Sequence, residues 1–464
     1  MAELPDTQAG PIAQRVNSET LLAWLREQRW FASKSRTLSG LEVVEEAAVD
    51  DQLSLAMMQV QFATGAHELY QLLLTPDEAD DGVDVLTNSQ HAHRLLAAID
   101  QGREIDGRHG RFYFRHVDHA SGDDGSAGPG REPIPTDPVS EPVRPMGAEQ
   151  SNSSVVFGER LALKLFRKLE PGINPELEMV RFLSAHEYPN IAPLYGWYEY
   201  EGETLAATLA IAQEFVVGGI DGWELALGEI PSAPDTFLER ITALGNATGR
   251  LHSVLASDPG DPAFSPQDPS SEFLNLLKAT IDDQLERVFG HLPDDPNVAP
   301  IVGLEQEVRE RITLPSQGPI GGKSIRIHGD YHLGQTLYTQ DGWTLLDFEG
   351  EPARPLNARR QKRSPLRDVA SMLRSFAYVS SAVELLRNRR APADFEQRAR
   401  EKFLEHYFAA VDPALMPGGE AVINNLLSIY ELEKAIYELR YELNNRPDWI
   451  PIPVAGIGRI LEGA

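Results

Sequence analysis

Two aspartates separated by a short apolar run, Asp330 and Asp347, are the residues of this chain whose spacing could do chemistry. The first lies in Ile327-His-Gly-Asp-Tyr-His-Leu-Gly-Gln335 and the second in Leu345-Leu-Asp-Phe-Glu-Gly-Glu-Pro352. Phosphoryl transfer needs one group to orient an attacking hydroxyl and others to hold magnesium on a nucleotide's phosphates. Asp330 fits the first role. Gln335 and Asp347 carry the hard oxygens that magnesium prefers, and Glu349 adds a further contact. The pattern points to an ATP-dependent kinase. His328 and His332 have no third nitrogen or sulfur ligand at supporting spacing, so they read as groups that organise the loop rather than as ligands of a transition metal. His328 is also counted among the substrate contacts.

These groups need elements to hold them. Trp343 to Leu346 read as a buried strand after an Asp341-Gly342 turn, a two-residue hairpin connection that would set both carboxylates at one end of a small sheet. Upstream, Leu161-Ala-Leu-Lys164 puts a lysine on an apolar strand. A cation there calls for phosphate or a carboxylate, as in kinases, where such a lysine meets the α and β phosphates and a helix glutamate. Glu178 is the first choice for that glutamate and Glu176 the second. The same letters also describe a lysine at a solvated strand end.

Strands at Ser154–Phe157 and Leu161–Phe166 flank a Gly158-Glu159 turn. Before them, Gly147 to Ser154 offers the Ser151, Ser153 and Ser154 hydroxyls to phosphate oxygens. An ordinary polar loop explains that segment too. Asn174-Pro175 opens a helix. The strand Ala206–Val217 ends at Gly218-Gly219, and Glu214 and Val216 stand where backbone groups of a linker between lobes would meet an adenine edge; a strand ending at a loop explains the same letters equally well. Long helices are expected near residues 235–256, 271–289, 366–382, 395–410 and 421–444. Asp368 could cap its helix or hold the backbone of the catalytic loop. On the last long helix Tyr430, Lys434, Tyr437, Glu438 and Tyr441 recur at spacings of three and four, with Trp449 beyond. That face suits a sugar, whose pyranose ring stacks on aromatics, and it equally suits tyrosines packed on a core.

Residues 19–28 are helical in pattern, and three strands follow at 41–49, 53–62 and 68–74. With them Trp30 and Phe31 read as core anchors. Residues 121–142 are rich in Gly, Pro, Asp and Ser and read as a mobile loop. The basic run Arg359, Arg360, Lys362 and Arg363 is taken as solvated and left out of the site.

Composition narrows the class. The chain has 464 residues, 70 acidic and 42 basic, for a net charge of −28. So acidic a chain is a poor partner for nucleic acid or anionic membrane and suits a small neutral or basic substrate. The cysteine count of 0 excludes disulfides and thiolate chemistry. No run approaches the roughly 20 apolar residues of a membrane helix, and no secretory signal opens the chain, so the expected location is the cytoplasm.

The strings EQSNSSVVFG, LALKLFRKLEPGINPELE, HGDYHLGQTL, LLDFEGEPARPL, SPLRDVASMLRSF and YELEKAIYELRYELNNRPDWIPIP, in this order from about residue 145 onward, resemble the bacterial maltokinases. RWFASKSR is similar to the start of that family's N-terminal cap. The resemblance implies an α+β, bilobal, aminoglycoside-phosphotransferase-like kinase: a cap over 1–92, an intermediate subdomain over 93–217 completing the nucleotide lobe, and a mainly helical lobe over 218–464. It implies transfer from ATP, with magnesium, to the anomeric hydroxyl of maltose, giving maltose 1-phosphate for α-glucan (glycogen) synthesis, often beside trehalose synthase. By position it makes Asp330 catalytic, Gln335 and Asp347 metal ligands, Lys164 the phosphate lysine, and 430–449 part of the sugar site. A kinase of another small sugar or amino sugar, such as glucosamine, and a silent scaffold for a glucan-making partner are the competing readings.

Overall fold

The computed structural model describes residues 18–75, 85–117, 141–147, 152–203, 205–269, 271–312, 321–352 and 354–462. The chain forms two compact units, one of Met1–Arg181 with Ala192–Val217, the other of Phe182–Ile191 with Gly218–Ala464. Ser151 and the loop reading at 121–140 lie outside the described residues.

The first unit begins with α1 (Ser18–Glu27) and β1 (Leu38–Ala48), β2 (Ser54–Phe62) and β3 (His67–Leu74). Then come α2 (Ser89–Asp100), β4 (Glu104–Asp106), β5 (Gly110–His116), β6 (Val143–Pro145), β7 (Ser153–Phe157), β8 (Leu161–Leu165) and β9 (Lys168–Leu169). After the opening turns of α3 (Pro175–Ala185), β10 (Leu194–Gly202) and β11 (Ala206–Glu214) complete it. Two sheets result, β1-β2-β3-β9 and β4-β5-β10-β11-β8-β7-β6. Alternation along β8 is clean, with Leu161, Leu163 and Leu165 buried and Lys164 on the other face. Trp30 and Phe31 pack in the core of the first sheet with Met58, Phe62 and Tyr70.

The hairpin between β7 and β8 pairs Phe157 with Leu161, and Gly158 takes φ +56°. Its loop therefore includes Arg160 besides the expected Gly158 and Glu159. β11 stops at Glu214, short of the expected Val217, and Phe215 donates its backbone N–H to Arg160 O.

The second unit holds β12 (Ile220–Asp221), α4 (Gly222–Glu229), α5 (Pro234–Leu255), α6 (Ser271–Phe289) and α7 (Glu305–Arg311). β13 (Thr336–Thr339), β14 (Gly342–Leu345), α8 (Leu356–Arg359), α9 (Leu366–Arg387), α10 (Phe395–Ala410), α11 (Glu420–Asn445) and α12 (Pro451–Glu462) follow. The small sheet runs β12-β13-β14. Its hairpin pairs Thr339 with Gly342, so the turn residues are Gln340 and Asp341, one position earlier than the spacing suggested. Gly342 at φ +110° supplies the left-handed residue that closes such a turn. α9 buries Val369, Met372, Leu373, Phe376 and Val379 at helical spacing. It is long and apolar enough to cross a membrane, yet 67% of its most apolar window is buried inside the protein, as in a core helix.

Candidate active site

The loop before β13 is tied down by its own side chains. His328 Nδ1 accepts the Asp330 N–H at 3.4 Å, which leaves the proton on Nε2, 2.8 Å from Leu346 O. His332 Nδ1 accepts from Gly334 N–H at 3.1 Å and opens a 3₁₀ turn over Leu333–Gln335. Gly329, at φ +85°, leaves space where the chain passes Gly350. From α9, buried Asp368 accepts the N–H groups of His328 at 2.8 Å and Gly329 at 3.0 Å. No side-chain bond caps α9, so of its two readings Asp368 takes the one that holds the loop. His252 Nε2 lies 3.2 Å from the same carboxylate, with Tyr407 OH on its other nitrogen. Burial pushes the Asp368 carboxyl up, but the His252 contact and the Gly329 N–H outweigh it and hold it below the usual aspartate value.

This anchored loop presents Asp330 to Lys434 of α11, whose Nζ is 3.4 Å from Oδ1. Burial disfavours the Lys434 ammonium, yet Asp330 and Glu438 raise it overall, so the lysine keeps its charge. His332 Nε2 stands 4.0 Å from Asp330 Oδ2. Desolvation lowers the His332 imidazole despite the pull of Asp330 and, more weakly, Asp347.

At the open end of the hairpin Gln335 Nε2 donates to Asp347 Oδ2 at 3.1 Å. Asp347 adopts φ +58°, a backbone state that a non-glycine residue keeps where the surroundings enforce it. An oxygen of Glu349 lies within 4.8 Å of one of Asp347. Two carboxylates and a neighbouring amide carbonyl are a donor set that fits magnesium. Glu349 also faces Arg359 Nη1 at 3.7 Å, which ties down part of its charge.

In the first unit Lys164 Nζ donates to Glu176 Oε2 at 2.8 Å, both side chains largely shielded. The partner expected first was Glu178. Glu176 comes two residues earlier on α3, so its side chain projects roughly 200° round the helix from that of Glu178. Asn174 fixes the helix start by accepting the Glu176 N–H at 2.8 Å. Ser154 pairs with Lys164 across the β7–β8 ladder, and both Ser153 and Ser154 are drawn into the sheet. Ser153 Oγ accepts from the buried Arg167 Nε at 2.7 Å, so it holds protein rather than standing ready for phosphate. Glu214 ends β11 with its N–H on Pro193 O, and Val216 follows the strand, half-buried.

An open cavity lies beside the Asp330 loop in the second unit. Gly329 and Gly350 edge it, and Tyr430, Lys434 and Tyr437 line it from α11. The other three residues expected there do not. Glu438 binds buried Arg374 at 2.7 Å, Tyr441 is exposed beneath Arg446, and Trp449 stacks on Tyr378 at 6.1 Å. His328 is 1% exposed and hydrogen-bonded within the loop, so it organises the loop instead of meeting substrate.

The lining that sequence reasoning missed is ionic. Arg354, Arg359, Arg363 and Arg367 face the cavity, with Glu351 and Glu433 among them. Arg367 pairs with Glu433 at 2.7 Å and Arg354 with Glu351 at 2.5 Å. Arg359 and Arg363 belong to the run set aside as solvated. Burial, with Arg367 and Arg354 close by, pulls Arg363 down to about 10. Arg363 lies between α8 and α9, paired with the Ile325 backbone, so no helical period joined it to Arg359 and Arg367 in the sequence.

The fold is that of an aminoglycoside-phosphotransferase-like kinase with an N-terminal cap. Residues 24–105 match the maltokinase N-terminal cap domain and residues 142–350 the phosphotransferase enzyme family. It is 24% identical over 347 residues to a glucosamine kinase of Mycolicibacterium smegmatis, covering 69% of this chain and 79% of that protein. To a glucosamine kinase of Streptacidiphilus jiangxiensis it is 25% identical over 328 residues, covering 66% and 70%. A solved glucosamine kinase in complex with glucosamine, ADP and inorganic phosphate shares the fold with a TM-score of 0.71 at 18% identity, covering 92% of this chain and 94% of that one.

Proposed function

We propose that this protein is an ATP-dependent sugar kinase that phosphorylates maltose at its anomeric hydroxyl, giving maltose 1-phosphate and ADP. The observation that carries the sugar reading is the cavity beside Asp330. Within its lining Arg367 Nη1 and Gln284 Oε1 are buried without hydrogen-bond partners among the described residues. One is a donor and the other an acceptor, and a hydroxyl-rich ligand supplies both complements. Tyr437 adds an aromatic face.

Charge argues for a neutral sugar. Arginines and Lys434 outnumber the carboxylates of the lining, so a protonated amine would enter among like charges. The match of residues 24–105 to the maltokinase cap supports the same choice. Glucosamine is the second reading, favoured by the named activity of the relatives and by Glu351 and Glu433, which could meet an ammonium.

In the proposed reaction Asp330 orients the sugar hydroxyl and takes its proton as the oxygen attacks the terminal phosphorus of ATP. Lys434, 3.4 Å away, holds that carboxylate in place. Gln335, Asp347 and Glu349 would hold magnesium, which when bound neutralises charge on the ATP phosphates. Lys164, fixed by Glu176, would meet the α and β phosphates. The product suits α-glucan synthesis, and the association proposed with trehalose synthase would place the maltose source beside this site; a cytoplasmic location agrees with the use of ATP. An ADP-release assay over a sugar panel tests the assignment. Turnover is expected with maltose and not with glucosamine; rapid turnover of glucosamine alone would overturn the maltose reading.

A further inference from the structure

Outside the site just described, one buried cation joins the cap to the strands that carry the proposed phosphate lysine. After β8 the chain leaves the seven-stranded sheet and within two residues enters the cap sheet as β9, where Leu169 pairs with Leu69 and Lys168 with Tyr70. Arg167 sits at that crossing and is 1% exposed. Its carbonyl accepts the Gln71 N–H of β3 at 3.0 Å. Its guanidinium lies 5.2 Å from the Trp30 ring centroid, and Trp30 is itself held against Trp24 and Tyr70. Nε reaches back 2.7 Å to Ser153 Oγ, the first residue of β7, adjacent to the Ser154–Lys164 pair.

Burying a guanidinium is unfavourable unless its donors are satisfied, and a cheaper staple between two sheets would be apolar. What the guanidinium adds is direction. It fixes the start of β7 along one bond while the cap's tryptophan fixes the guanidinium plane. Gln71 reinforces the same crossing, since its amide donates to Phe166 O at 2.7 Å and accepts from Tyr198 OH at 2.8 Å.

We propose that Arg167 is a positioning residue for nucleotide, through which Trp30 of the cap sets the register of Ser153 and hence of Lys164. The inference rests on the kinase reading above. It assigns the cap a part in ATP binding and none in sugar binding, and it makes Ser153 an anchor rather than a phosphate contact.

The test uses the full-length protein with Arg167→Met, Arg167→Lys and Ser153→Ala, measuring KM for ATP and for the sugar, kcat, the Kd of Mg-ADP and the melting temperature. Arg167→Met is expected to raise KM for ATP and the Kd of ADP about tenfold, as befits one charge-assisted contact, with kcat and the sugar KM within about twofold. Arg167→Lys recovers part of that loss, because it keeps the charge beneath Trp30. Ser153→Ala, which removes one oxygen and keeps the packing, shifts KM for ATP about threefold in the same direction and decides the matter if Arg167→Met does not fold. Unchanged ATP and ADP parameters in folded variants would overturn the inference, as would equal losses in both substrates' KM. Failure of the wild-type protein to phosphorylate any sugar would instead remove the kinase reading itself.

Discussion

The loop around Asp330 and the helix α11 both face the same cavity, yet they are built on opposite principles. In the loop, two side chains accept backbone N–H groups two residues on, Asp330 N–H on His328 and Gly334 N–H on His332, and a single distant carboxylate, Asp368, takes the N–H groups of His328 and Gly329. On α11 neighbouring residues are claimed by distant partners: Glu431 by Arg400, Glu433 by Arg367, Lys434 by Asp330, Glu438 by Arg374 and Glu442 by Tyr378. The lesson is that helical spacing says which residues share a side, while the partner across the interface decides whether a charge is structural or available to substrate.

That contrast can be broken by substitution. Asp330→Asn removes the proton acceptor and is expected to lower kcat at least a thousandfold with ADP affinity retained, read by turnover and by calorimetry. Asp368→Ala strips two buried N–H groups and His252 of their acceptor, so about 3 kcal/mol of stability and most activity should go together in denaturant titration and turnover. The same residue sets an acid limit. Its folded-state pKa lies below the unfolded one, so its stabilisation is complete above the ordinary aspartate range and drains as pH falls through that range towards the depressed value. A melting-temperature series from pH 7 to pH 3 should therefore be flatter in Asp368→Asn than in the wild type.

Along α11 the expected effects diverge although the residues are neighbours. Lys434→Met should reduce kcat/KM about thirtyfold by freeing the Asp330 carboxylate from its partner. Glu438→Ala leaves Arg374 buried without its carboxylate, so it should lose about 3 kcal/mol of stability while the sugar KM of the folded fraction stays within about twofold. Tyr441→Ala, at an exposed position, should change neither by more than about twofold. A large rise in sugar KM for Glu438→Ala or Tyr441→Ala would erase the distinction between structural and substrate-facing residues of α11.

Much of this architecture could be read in the residues. The strands before residue 75, the β7–β8 hairpin with Lys164 outward, and helices α5, α6, α9, α10 and α11 follow from periods of two and of 3.6, which local burial enforces. The loop was legible for the reason just given. Three features were not. The turn at Gln340–Asp341 is set by which strand residues pair, and Gly342 serves either register. The choice of Glu176 over Glu178 depends on how α3 is rotated beneath β8, since both glutamates are buried. The arginine lining of the cavity was hidden because a basic run in a chain of net charge −28 reads as solvated until Glu351 and Glu433 are seen folded against it.

The most direct test of the central claim is to let the wild-type enzyme consume Mg-ATP in the presence of maltose and to record the phosphorus NMR spectrum of the product, with coupling to protons resolved. The account predicts a monoester phosphorus split by the anomeric proton of the reducing-end glucose, in step with ADP formation. A phosphorus coupled to a different sugar proton, or ADP formed without any sugar ester, would contradict it.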